Sequence, residues 1–182
     1  MIRARLSGAR AKPALARPLR RQQRSFHTDA KKELTQDHED HQALLRDLAN
    51  SIDANEPGAE LRRRWLAFEE NLLDHLDTEE RALFSVAVQA YRLEIERLRT
   101  EHRQIRQVAV GLGVAAELHS LKRPAVDELR DMLRAHNEHE ERSLHRWLAE
   151  DEGVLARRGV LAIRSRRERS SARIRVAAKV GD

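Results

Sequence analysis

Six residues stand out for what they could bind together: His41, His75, Glu79, His102, His136 and Glu140. Imidazole nitrogens and carboxylate oxygens are donors for divalent transition metals. The chain has no cysteine, so any metal must rest on nitrogen and oxygen. His41 and His75 are 34 residues apart, as are His102 and His136, and in both pairs glutamate follows the second histidine at i+4, in "HLDTE" and "HNEHE". That offset stacks two side chains one turn apart on one helix face. The arrangement recurs after 61 residues, as a duplicated helix hairpin would. One such pair alone reads as an exposed contact worth about 0.2–0.5 kcal/mol. Two, each with a matching upstream histidine, read as a metal site.

Helices must carry these residues. Leu34, His38, His41, Leu45, Leu48 and Ile52 fall at alternating steps of four and three, a single helical seam. "DANEPG" breaks it, with Pro57 suited to the first turn of the next helix. A second seam runs through Leu61, Trp65, Phe68, Leu72, His75, Glu79 and Leu83, and a third through Tyr91, Ile95, Leu98, His102, Ile105, Ala109 and Leu112. After "HSLKRP" a fourth runs through Val126, Leu129, Leu133, His136, Glu140, Leu144 and Trp147. The turn between the second and third helices lies around 85–91, without a Gly or Pro to mark it.

The expected fold is therefore all-α, an antiparallel up-down-up-down four-helix bundle. Gly58 lies midway between His41 and His75, and His119 midway between His102 and His136. Residues equidistant from a hairpin turn share a height, so all four helices can deliver ligands to one level. Buried carboxylates and imidazoles need strong partners, and a shared cation would satisfy them jointly.

The formal charge of +5 is segregated. Residues 1–28 carry eight basic residues and no acid; residues 153–182 carry nine basic residues and two acids; 29–152 hold eighteen basic and twenty-eight acidic. This divides the chain into a basic disordered leader at 1–30, a helical domain at 31–150 and a basic C-terminal tail at 151–182. The leader fits a cytoplasmic protein, with an Arg-rich mitochondrial presequence and a matrix location as the alternative. The tail is expected to be solvated and to brush the acidic body. Nucleic acid or an anionic membrane as its partner is only weakly suggested, because aromatics and a recognisable binding motif are missing. No apolar run approaches membrane-spanning length.

D-H-x-x-L-L at 40–45, H-x-x-x-E-E at 75–80, E-H at 101–102 and H-x-x-x-E-E at 136–141 resemble the hemerythrin, or HHE cation-binding, family over about residues 31–149. The resemblance implies a non-haem di-iron centre, with His41, His75, His102 and His136 as terminal ligands and Glu79 and Glu140 as bridges. Manganese or zinc suits the same donors. It implies binding or sensing of dioxygen or iron. The alternatives are an enzyme acting on peroxide or nitric oxide, and an interaction module with basic tails. The oxygen-carrying pattern has another histidine where this chain has Arg106, and an aspartate where it has Glu141. One ligand fewer leaves more open positions on iron.

His38, one turn before His41, is expected to be a half-exposed histidine, with ligation or support of a ligand as the other reading. His139 and His145 are expected at the surface, and His119 in a loop. Glu80 and Glu141 either accept hydrogen bonds from ligand imidazoles or face solvent.

Overall fold

The computed structural model describes residues 17–87, 90–150 and 157–168, and all regular structure among them is helical. The long helices are α1 (Arg17–Asp53), α2 (Gly58–Glu79), α3 (Arg92–Glu117) and α4 (Arg123–Glu150). A shorter helix, α5, spans 157–168. α1 begins at Arg17 rather than near residue 31, so its first turns lie inside the expected leader. Residues 1–16 of that leader and 169–182 of the tail lie outside the described residues. Among the described residues, no helix is long and apolar enough to cross a membrane.

The links explain where the helices stop. After α1 the chain turns through Asn55 at φ 55, and the Glu56 N–H donates back to the Ser51 carbonyl at 3.0 Å. After α3 the same closure recurs, with His119 at φ 53 and the Ser120 N–H donating to Ala115 at 2.8 Å. Both are helix ends that require one left-handed residue, which asparagine tolerates more readily than histidine. The two links meet at one end of the bundle: a Cβ on Gly58 would sit 2.7 Å from the Cβ of His119. Only glycine fits there.

α2 does not end at Glu79. It widens into a π-helical turn, Glu80–Phe84, and runs on through Ser85–Ala87 before the chain turns into α3. π-Turns within α-helices are rare and gather at functional sites.

Side-chain contacts give the helix directions. Asp37 meets His75 and His41 meets Asn71 between α1 and α2. Arg62 meets Glu117 and Asp77 meets Arg106 between α2 and α3. His136 meets Glu101 and Trp147 meets Glu94 between α3 and α4, and Asp53 meets Arg123 and His38 meets Glu141 between α1 and α4. In each pair the numbers rise on one helix as they fall on the other, so neighbours are antiparallel.

The core has two apolar layers. One, towards the Gly58 end, contains Leu45, Trp65, Phe68, Leu72, Ile105 and Leu129. The other contains Leu34, Phe84, Ile95, Leu98, Trp147 and Ile163. Burying a side chain of this kind stabilises by about 1.5–3 kcal/mol. Between the layers lies a polar one, where His38, His41, His75, Glu79, His102, His136 and Glu140 are all buried.

The solvated-tail expectation is corrected for the described part. Val160 and Ile163 of α5 are buried in the second apolar layer, and Arg166 is buried with them. The basic sequence masks this because its apolar run, Val160 to Ile163, is only four residues long and is flanked by arginines. The acids that neutralise its arginines, Asp29, Glu33 and Asp37, are more than 120 positions away on α1.

Candidate metal centre

Two groups of donors face one another in the polar layer. His38, His75, Glu79 and Glu140 form one, and Glu79, His102 and His136 the other, with one ligand atom from each residue within 4.8 Å of the others in its group. Glu79 belongs to both. Its Oε1 lies 2.8 Å from His75 Nε2 and 3.9 Å from His38 Nε2, while its Oε2 lies 3.6 Å from His102 Nε2. Glu140 is also intermediate, its Oε2 lying 3.3 Å from His38 Nε2 and 3.9 Å from His136 Nε2. Each carboxylate thus lies between an α1 or α2 imidazole and an α3 or α4 imidazole.

The outer nitrogens of these rings are committed elsewhere. His38 Nδ1–H donates to Glu141 at 2.9 Å, His102 Nδ1–H to Glu80 at 2.9 Å and His136 Nδ1–H to Glu101 at 2.8 Å. His75 Nδ1 faces Asp37 Oδ2 at 3.6 Å. A carboxylate accepts but cannot donate, so the three bonded rings carry a proton on Nδ1 and turn Nε2 inward, where the neutral ring offers a lone pair. This is how metal-binding histidines are usually oriented. His102 and His136 bring their Nε2 atoms to 3.1 Å. With both Nδ1 atoms already donating, two lone pairs at that distance repel unless a proton or cation joins them.

The electrostatics point the same way. Burial opposes charge on Glu79, yet His75, His38 and His102 hold its pKa well below the ordinary carboxylate value. Burial likewise opposes a charged His38, but the carboxylates of Glu140, Glu141 and Glu79 that face it outweigh that and raise its pKa well above the usual value. His75 is raised against burial by Glu79 and Asp37. Hydrogen bonding from His102, reinforced by Arg106, brings Glu80 down to about 2. The facing imidazoles therefore favour the ionised form of Glu79 and Glu80.

The donors fit a metal pair. Both oxygens of Glu79, both oxygens of Glu140 and His38 Nε2 are sealed from solvent and have no hydrogen-bond partner. Five orphaned acceptor or donor atoms in one layer would be costly without a cation.

Comparison with family models matches residues 29–148 to the hemerythrin HHE cation-binding domain. The chain belongs to the hemerythrin HHE family. No curated protein and no solved structure gives a match.

Five of the six expected residues of this hemerythrin-like chain lie in the two groups: His75, Glu79, His102, His136 and Glu140. His41 does not. It is buried one turn away, with its Nε2 3.0 Å from Asn71 Oδ1, and burial followed by the neighbouring His75 lowers its pKa to about 3. His38, expected to be half-exposed, takes the place expected of His41 and is only 3% exposed. The cause is the register of α1 against α2: Asp37 faces His75 and His41 faces Asn71, so His41 lies one turn of α2 away from His75 rather than level with it.

Of the two readings left open for Glu80 and Glu141, the structure has both accepting from imidazoles. Arg106, where an extra histidine was looked for, donates instead to Glu80 and Asp77 at 2.7 Å each. It braces the carboxylate that orients His102. His139 is half-buried and donates to Glu101 at 2.8 Å, and the side chain of His145 lies outside the described residues. Asp37, Glu101 and Arg166 were not singled out from the sequence. Glu101 alone carried a signal, as the "EH" beside His102.

Proposed function

We propose that this hemerythrin-like chain holds a non-haem di-iron centre and uses it to bind dioxygen. In this reading His38 and His75 serve one ion, His102 and His136 the other, and Glu79 and Glu140 are shared. The observation that carries it is the pair of buried glutamates whose four oxygens lack hydrogen-bond partners while facing imidazoles on both sides. The donor set suits manganese and zinc as well; iron is drawn from the family likeness.

An iron pair with positions left open by protein would supply a site for a small redox-active ligand. This chain's residues restrict what arrives. Phe84 lies 5.2 Å from the His102 ring and closes one side, and Phe68 lies 6.0 Å from His41 on the other. An open groove of about 1010 Å³ between α1 and α4 reaches the edge of His38, where His38 and Glu141 form its inner wall.

The test is elemental analysis of protein purified anaerobically from iron-supplemented cells, with absorption spectra before and after air. About two irons per chain and an air-dependent charge-transfer band support the proposal. Less than one iron, or a spectrum unchanged by air, contradicts it.

A further inference from the structure

We infer that α5, which lies beyond the stretch matched to the family, is a wall of the metal centre, and that its Arg166 is a positioning residue for His75. This rests on reading the polar layer as a metal centre. α5 is docked closely: Val160 and Ile163 are buried with Leu34 and Phe84, and a Cβ on Gly159 would come within 2.7 Å of a Leu83 methyl. Arg166 is only 3% exposed. Its guanidinium pairs with Asp37 Oδ2 through one terminal nitrogen and donates from the other to Asn71 Oδ1 at 2.9 Å. Arg167 donates to the second oxygen, Asp37 Oδ1, at 2.8 Å.

Asp37 Oδ2 is the oxygen that faces His75 Nδ1. The rings of His38, His102 and His136 each receive their outer carboxylate from within α1 to α4, or from the π-turn in Glu80's case. Of the four rings, His75 is the one whose outer nitrogen faces a carboxylate clamped by α5, at 3.6 Å. A buried guanidinium needs its partner as much as the partner needs it, so docking of α5 and alignment of His75 are linked. The first donor group contains His75 and the second does not. Loss of the clamp therefore acts on one group.

The experiment is anaerobic titration of the full chain with ferrous iron, followed by calorimetry. Wild type should take two ions. In Arg166→Ala the first group should weaken by about 10–100-fold, as when the partner of a ligating histidine is lost, while the second holds its iron unchanged. Arg166→Lys keeps the charge and should recover part of that loss. Arg164→Ala, which removes a half-exposed partner of Glu33 and Asp29 on the same helix, should change nothing.

Hydrogen exchange on wild type gives a readout that needs no variant: amides of 157–168 should gain protection when iron is added. Two unchanged affinities in Arg166→Ala, or no protection gain in α5, overturn this inference and leave the metal centre standing. Should Arg166→Ala fail to fold, the exchange result decides. A wild-type chain that binds no iron overturns both.

Discussion

Replacing His38 and His41 in turn separates two histidines that sequence spacing alone cannot rank. Ferrous iron at one hundred times its dissociation constant stabilises a folded site by about 2.7 kcal/mol. Two such sites, taken as additive, give about 5 kcal/mol, and at about 2–4 °C per kcal/mol for a chain of this size the melting temperature should rise by about 10–20 °C. His38 supplies one of four donors in the first group and none in the second. His38→Ala should therefore lose about half the iron-induced rise, leaving about 5–10 °C from the second group. His41 lies outside both groups but is buried against Phe68 and His75 and bonded to Asn71. His41→Ala should lower the metal-free melting point, through a cavity costing about 2–4 kcal/mol. Its iron-induced rise should stay intact. Differential scanning calorimetry of both variants, with and without iron under anaerobic conditions, reads both quantities. A full rise in His38→Ala with a halved rise in His41→Ala would refute the reasoning.

Three further outcomes follow from the same contacts. Glu80→Gln removes the anionic acceptor that orients His102 and should weaken iron at the second group by about 10–100-fold, read as a loss of one of two binding steps in calorimetry. The pKa values of His38 and His75 are raised from an ordinary value near 6.5. Without metal their protonated forms stabilise the fold below that value, and the contribution is lost as pH rises through the raised values. Iron needs both rings neutral, so the iron-induced rise in melting temperature should grow from pH 6 to pH 8; a flat or falling profile would contradict this. Leu72→Ala, at a fully buried position, should cost about 2–5 kcal/mol in denaturant unfolding without changing iron stoichiometry.

The helices were legible because their seams keep a strict period across about five or six turns, from Leu34 to Ile52 and from Val126 to Trp147. Five residues of the two donor groups were legible because two of the four helices carry histidine and glutamate at i and i+4 on that seam. His38 was not, since sequence spacing fixes the face of a helix but not the relative height of two helices to within a turn. The π-turn after Glu79 was hidden too: no Gly or Pro marks it, and it emerges from burying Ala82, Leu83 and Phe84 in succession. Arg166 was least visible. A basic run with one short apolar stretch reads as solvated until the acids that neutralise it, Glu33 and Asp37, are found opposite.

Anomalous diffraction at the iron edge, from crystals of the iron-loaded full chain, tests the central claim most directly. The account predicts two peaks, one among His38, His75, Glu79 and Glu140 and one beside His102 and His136, with Glu79 between them. A single peak elsewhere, or iron bound only by surface carboxylates, would contradict it.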